Sequence, residues 1–130
     1  MFISVTRLQL RSMLYLPAYG IEAARAKAQA EQTPGCIAAQ VRKTDGLAFW
    51  TMTFWEDDAS MKRFMRESPH RAVMPKLAEW CDEAAAIHWS QDSRELISWN
   101  AGRDRLRDSG RLAPVNHPSD IQKNGVVNVS

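Results

Sequence analysis

The stretch LAFWTMTFW, residues 47–55, decides the fold, because it is a predicted strand with large apolar side chains on both faces. Alternate residues of a strand point to opposite faces of its sheet. One parity carries Phe49 and Trp55 around two threonines, and the other carries Trp50 and Phe54. A sheet with helices on a single face should show one apolar and one polar parity. Both faces of this strand are therefore predicted to be covered.

Helices on one side of the sheet leave the face with Trp50 and Phe54 without a cover. Burial of each large apolar side chain contributes about 1.5–3 kcal/mol, and an exposed patch of them would bind other apolar surfaces. The simplest cover is the same sheet of a second copy in a two-fold pairing. The sequence therefore predicts a homodimer whose two sheets face each other.

The elements on either side of this strand follow the order strand–helix–strand–strand–helix–strand. Alternating apolar residues predict the strands, and apolar residues three or four apart predict the helices. This order is that of the ferredoxin-like α+β fold (βαββαβ), one antiparallel sheet with helices on one face. The predicted strands are residues 2–10, 36–43, 47–55 and 85–91, with an Asp-Gly turn at 45–46, and helical stretches begin at Pro17, after Asp57-Asp58 and at Pro69.

Two short signals set where the helices after the aromatic strand begin. Asp57 or Asp58 is the predicted N-cap of the first of them. Ser68 is the predicted N-cap of the next, which places Pro69 at its first position. Pro75 is expected to kink or restart that helix, because its ring clashes with the carbonyl four residues back. Helical spacing continues from there as far as residue 84.

The chain of 130 residues suits one domain with one core. We expect a ferredoxin-like unit over residues 1–109 that ends in a short polar helix at 99–108. The remaining residues, 110–130, are rich in Pro, Asn and Ser and have no clear period. They are predicted to form a tail or an arm.

Charge and cysteine content exclude several classes of protein. The 17 basic and 15 acidic residues give a net charge of +2 and are interleaved, which does not favour nucleic-acid binding. Cys36 and Cys81 form neither a disulfide framework nor a metal motif, as is typical of a reducing cytoplasm. A signal peptide is not expected, because the first residues alternate between apolar and polar, and no apolar run approaches the roughly 20 residues of a membrane helix. A cytoplasmic protein that contacts neither nucleic acid nor membrane is predicted.

His70 and Arg71 are the predicted catalytic residues. A helix N-terminus disfavours the imidazolium, so His70 is expected to be neutral and able to accept a proton or bind a ligand. The alternative is a surface histidine that hydrogen-bonds nearby backbone. Arg71 could bind a carboxylate, phenolate or enolate oxygen, and its alternative is a salt bridge to Glu56 or Glu67.

The rest of the predicted site is a pocket between the sheet and the helices. Polar groups in an apolar pocket orient a ligand, and two threonines share the face of Phe49 and Trp55. Tyr15 and Tyr19 flank the start of the first helix, where either hydroxyl could enter the pocket. The predicted ligand-binding residues are Tyr15, Phe49, Thr51, Thr53, Trp55, Phe64, Met74, His88 and Trp89, and no metal site is predicted.

Several of these residues have a structural alternative. Trp55 and Phe64 could be ordinary core residues. His88 and Trp89 have opposite parity, so one faces the helices and the other faces the predicted dimer contact. A buried, hydrogen-bonded histidine is the alternative for His88. Sequences such as G-x-G-x-x-G or a Walker A motif are absent, so nucleotide cofactors have no support.

Three motifs resemble those of the dimeric α+β barrel superfamily. They are WEDDASMKRF at 55–64, SPHR at 68–71 and SWNA at 98–101, and the resemblance covers about residues 1–107. The superfamily includes the antibiotic-biosynthesis monooxygenase-like proteins. The sequence is most similar to DUF3291-type and spheroidene monooxygenase-like small proteins.

This resemblance implies a pocket in each subunit for a flat or apolar organic molecule. Several relatives oxygenate polycyclic aromatics without metal or flavin, and others bind or degrade haem. In the haem-degrading branch a tryptophan corresponds to Trp55 and the iron-ligating histidine lies near Met74, where this sequence has none. No cofactor is therefore predicted, with haem on His70 or His88 as the alternative.

The sequence thus favours a monooxygenase-like homodimer that binds an apolar or aromatic molecule. His70 would take a proton from a desolvated substrate, and the resulting carbanion or enolate would react with dioxygen. Trp55 and Tyr15 would shape the cavity. The alternatives are a non-catalytic ligand-binding or accessory protein and a haem-binding protein.

Overall fold

Five antiparallel strands form one sheet in the order β2-β3-β1-β4-β5. The computed structural model describes residues 1–44 and 46–130, so Asp45 of the predicted turn lies outside the described residues. The strands are β1 (Phe2–Leu10), β2 (Cys36–Lys43), β3 (Ala48–Trp55), β4 (Cys81–Ser90) and β5 (Arg111–Leu112). The helices are α1 (Leu16–Gln32), α2 (Asp58–Arg66), α3 (His70–Trp80), α4 (Trp99–Ser109) and α5 (Asp120–Lys123). The predicted α+β class and the order of the first four strands are confirmed.

The first face of the sheet, defined by Phe2, Leu10 and Trp55, packs against α1, α2 and α3. Phe2 and Trp55 form a buried cluster with side chains of α1 and α2, and Leu10 forms a second one with Tyr19. Tyr19 lies with its ring centroid 4.6 Å from that of Phe49. The predicted helical cover over Phe49 and Trp55 is therefore confirmed.

The second face, defined by Ile3, Val5, Trp50, Met52 and Phe54, is covered by the same chain. Helix α4 crosses it so closely that a Cβ on Gly102 would lie 3.1 Å from the Met52 sulfur and 3.4 Å from a Val5 methyl. Leu106 of α4 belongs to the same buried cluster, and Val127 and Val129 pack against it.

As a result, Trp50 is 3% exposed and Phe54 is fully buried within a single chain. The premise that helices cover one face only, and that a second subunit must cover the other, was wrong. The predicted polar helix at 99–108 and the predicted tail supply that cover.

Polar contacts hold the residues after α4 against the sheet. Arg7 donates to the Glu83 carboxylate at 2.8 Å and to the Ser130 carbonyl at 3.1 Å. Asn128 and Ser119 donate to the same carboxylate at 3.0 and 2.7 Å. Burial acts to raise the pKa of Glu83, but the hydrogen bonds from Ser119, Arg7 and Asn128 outweigh it and leave the pKa below its usual value. Buried hydrogen bonds and an ion pair centred on Arg7 and Glu83 therefore hold the predicted arm, residues 110–130, against the sheet.

The segment between β3 and β4 departs from prediction in three ways. Asp57 caps α2 as expected, with its carboxylate 2.8 Å from the Ser60 amide, but α3 starts at His70 without a side-chain cap. Helix α3 is continuous through Pro75. It ends at Trp80, and β4 begins at once, because residues 81–84 pair with β1 and this pairing overrides their helical spacing. None of the helices in the described ranges is long and apolar enough to cross a membrane.

Candidate functional site

A cavity of about 270 Å³ lies between the first face of the sheet and helices α1, α2 and α3. Small residues of α1 and large flexible ones of α2 and α3 form its walls, and strand residues form its floor. Its size and mostly apolar lining suit a small organic ligand. The wall residues include Ala23, Ala26 and Ala30 of α1, Met61, Phe64 and Met65 of α2, and His70, Val73, Met74 and Leu77 of α3.

Four hydroxyl-bearing residues form the floor of the cavity. Ser4 lies opposite Thr53, and Thr6 lies opposite Thr51, in the pairing of β1 with β3. Directly opposite residues of an antiparallel pair have Cβ atoms about 4.5–5.5 Å apart. The floor is therefore a compact polar patch in a mostly apolar cavity, whose lining also includes Glu22, Lys27 and the two histidines His70 and His88. The sequence predicted Thr51 and Thr53 but missed Ser4 and Thr6, although the even positions of β1 were the signal.

His70 is the first residue of α3 and lines the cavity. Its ring packs on Phe64 with a centroid separation of 4.6 Å. Its Nδ1 atom is buried and has no hydrogen-bond partner among the described residues. Burial lowers the pKa of His70 below its ordinary value, and the Met65 carbonyl opposes this only in part. The imidazole is therefore neutral near pH 7 and able to accept a proton.

Tyr19, rather than Tyr15, brings a phenol to the cavity. Tyr19 is 5% exposed and lines the cavity wall. Burial, assisted by Cys81, raises the pKa of Tyr19 well above its ordinary value, so its hydroxyl stays protonated and can donate. Tyr15 instead stacks on Trp80 with centroids 6.2 Å apart and accepts a hydrogen bond from Arg11.

The structure brings most of the other predicted ligand-binding residues to the cavity or directly behind it. Phe64, Met74 and His88 line the cavity together with the two threonines. Phe49 lies behind the wall, against Tyr19. Trp55 is fully buried, and its Nε1 donates to Thr53 Oγ1 at 2.9 Å. Trp55 therefore lies beside the floor, on the same face of the sheet, without lining the cavity.

Two predicted residues lie away from the cavity. Trp89 is on the second face, where the Arg105 guanidinium lies 4.7 Å from its ring centroid. Arg71 is exposed on α3 and is not part of the cavity wall. Glu56, one of its predicted partners, pairs with Arg94 at 2.8 Å.

The donor set of the site offers little to a metal ion. Within residues 1–44 and 46–130, no group of three or more His, Cys, Asp or Glu residues could hold one. Haem needs a single axial imidazole, and both His70 and His88 line the cavity. The Nδ1 atom of His70 is enclosed by protein, so this atom does not face a haem iron. The absence of a cofactor stays a prediction, with haem as its alternative.

Several of the elements that build the cavity match a known family. Residues 18–76 match the family model described as antibiotic biosynthesis monooxygenase. The match begins in α1 and ends within α3, so it includes most of the helical walls and strand β3 of the floor, but neither β1 nor β4. The predicted resemblance to antibiotic-biosynthesis monooxygenase-like proteins is confirmed. No curated protein matches the sequence.

Solved structures show the same fold at low sequence identity. Rv0793 from Mycobacterium tuberculosis is 10% identical with a TM-score of 0.64, over 72% of this chain and 98% of that one. A conserved protein from Methanosarcina mazei Go1 is 16% identical with a TM-score of 0.63, over 70% and 92%. A mutant of SnoaB, a cofactor-independent oxygenase from Streptomyces nogalater, is 14% identical with a TM-score of 0.59, over 74% and 95%.

Proposed function

We propose that this protein binds a flat apolar or aromatic molecule in the cavity and oxygenates it without a cofactor. The observation that carries the proposal is the neutral imidazole of His70 in the wall of a mostly apolar cavity with a hydroxyl floor. The fold shared with a cofactor-independent oxygenase supports it.

His70 acts as the general base in this proposal. It removes a proton from an acidic C–H group of the ligand, and the charge spreads over the aromatic system. Donors preorganised around the developing negative charge lower the barrier, and the floor hydroxyls with Tyr19 are placed to act on a ligand oxygen. A dry cavity strengthens each of these interactions.

The remaining steps balance without an outside reductant. The carbanion joins dioxygen through one new C–O bond, and the proton held by His70 returns to the distal oxygen to give a hydroperoxide. Loss of water then leaves a carbonyl group. In total a CH₂ group and one O₂ become a C=O group and one H₂O.

The unit proposed to carry this activity is residues 1–109, with residues 110–130 as an arm that covers the sheet. Pairing of two copies remains part of the proposal, although the second face is already covered in one chain. Sheet-to-sheet pairing would need α4 and the C-terminal segment to move aside. Light scattering on the purified protein decides between one copy and two.

Anthrone, an aromatic with an acidic CH₂ group, is the probe for a direct test. We expect the protein to accelerate oxygen uptake with one O₂ consumed per anthrone. His70→Gln should lower the rate about 10²–10⁴-fold, the usual contribution of a general base. His117→Gln, at an exposed position near Glu79, is the matched control and should keep the wild-type rate. An unchanged rate in His70→Gln refutes the role of the base, and binding without oxygen uptake supports the non-catalytic alternative.

A further inference from the structure

We infer that Gln29 of α1 is the positioning residue that fixes His70 in the cavity wall. The inference rests on the proposed role of His70 as the base. Gln29 is one of many polar residues of α1, and its sequence context does not distinguish it.

The side-chain amide of Gln29 makes three hydrogen bonds to one corner of the structure. Its Oε1 accepts from the backbone N–H of His70 at 2.7 Å. Its Nε2 donates to the carbonyls of Phe64 and Glu67, each at 3.0 Å. One amide therefore binds the end of α2 and the start of α3 together.

The bond to His70 satisfies a backbone N–H that α3 cannot satisfy itself, whereas the Phe64 and Glu67 carbonyls also accept from the backbone amides of Glu67 and Arg71. The first N–H groups of a helix have no partner within it, and α3 lacks a side-chain cap of its own. Gln29 supplies the missing acceptor from another helix. Because the His70 amide and the Phe64 carbonyl are bound by the same side chain, the tilted ring pair of His70 and Phe64 is fixed relative to α1.

Only a side-chain amide of this length can make the three hydrogen bonds of Gln29. The contacts need one acceptor and two donors on one planar group, which among side chains only the amides provide. A glutamate at position 29 would lose both donors, and an asparagine would be one methylene shorter. The neighbours of Gln29 on the helix, Ala26 and Ala30, line the cavity, so its contacts also set the distance between two cavity walls.

Hydrogen exchange on the unmodified protein provides a first test that needs no variant. The His70 amide has no acceptor within α3, so without Gln29 it should exchange like an unstructured amide. We expect it to exchange at least about fivefold more slowly than that, the effect of one hydrogen bond worth about 1 kcal/mol. An unprotected His70 amide overturns the inference.

The second test compares Gln29→Leu with Thr33→Val. The Thr33 hydroxyl donates to the backbone carbonyl of Gln29 at 2.8 Å. This control therefore perturbs the same end of α1 but leaves the hydrogen bonds of the Gln29 side chain intact. An NMR titration should show the pKa of His70 rising toward about 6.5 in Gln29→Leu as water reaches the ring, and staying low in Thr33→Val. Oxygen uptake with anthrone should fall at least about tenfold in Gln29→Leu only.

The outcomes separate the two proposals. If the His70 pKa is the same in Gln29→Leu and the wild type, the positioning role is refuted whatever the activity. If the pKa moves but His70→Gln oxidises anthrone at the wild-type rate, Gln29 still positions His70 and the catalytic role of His70 is refuted.

Discussion

The guanidinium of Arg7 and the carboxylate of Glu83 lie 2.8 Å apart with side-chain exposures of only 3% and 6%. Strands β1 and β4 bring them together on the second face of the sheet, where the C-terminal segment covers them. A charged pair in this position is stable only as a pair, because each charge loses its water on burial.

Arg7→Met should therefore strongly destabilise the protein. It leaves Glu83 buried without its cation, which costs about 3–5 kcal/mol. The free energy of unfolding, measured by urea denaturation, checks this value. Lys62→Met is the matched control, because Lys62 pairs with Asp58 at 3.3 Å on an exposed helix surface, and its loss should be below about 1 kcal/mol. Equal losses in the two variants would show that Glu83 is not desolvated in the folded state.

Val129→Asp should open the cover of the second face. Val129 packs against the buried cluster, so a carboxylate there loses apolar contact and water together, at about 1–3 kcal/mol. Val126→Asp is the control three residues away, where the side chain is 53% exposed. It should change stability by less than about 0.5 kcal/mol. Similar urea midpoints for both variants would contradict the observed packing.

The sequence predicted the sheet well because its signals are local. The strands predicted at residues 2–10 and 36–43 begin and end at the same residues in the structure. The cover over Trp50 was missed because it depends on contacts distant in the chain. Gly102 and Leu106 form only a thin apolar stripe on α4, and Val129 belongs to a short valine-rich stretch, residues 126–129, at the end of an aperiodic segment. Neither feature indicates a core element until the sheet is in place.

The stability of the protein should fall as the pH drops from about 7 to 5, in part because of His70. The unfolded chain binds a proton at this residue near pH 6.5, whereas the folded pKa is lower. The unfolded state therefore takes up the proton first, and stability present above pH 6.5 is lost as the pH falls through the folded pKa. Urea denaturation across this range should show a smaller pH dependence in His70→Gln. Identical slopes would mean that the ring is hydrated.

Tyr19→Phe should change ligand preference without changing cavity shape. Fluorenone and fluorene have nearly the same shape and differ in one carbonyl oxygen. We expect Tyr19→Phe to weaken fluorenone binding about 2–10-fold, the effect of one neutral hydrogen bond, and to leave fluorene binding unchanged. Titration calorimetry measures both affinities. Tyr15→Phe should alter neither, and a loss that is equal for both ligands would assign Tyr19 a purely packing role.

Residues of the candidate site could be predicted only where a single position in the sequence carries the signal, without knowledge of its neighbours in space. His70 was singled out because a helix N-terminus disfavours the imidazolium, and the structure places it in the cavity wall. Gln29 could not be found, because its role exists only once α1 packs beside the corner between α2 and α3. Trp55 was predicted to shape the cavity, but parity alone cannot separate a residue that lines the floor from a neighbour on the same face that is packed beside it.

Because the C-terminal segment covers the second face, this face is completed only late in the synthesis of the chain. The hydrogen bond from Arg7 to Ser130 joins residues 123 positions apart, so β1 leaves the ribosome long before the segment that packs over it. Until that segment follows, Trp50 and Phe54 lack part of their cover, and exposed surface of this kind makes incomplete chains prone to aggregation. A ribosome stalled before Val127 would therefore hold a nascent chain that attracts chaperones, whereas the finished chain would not.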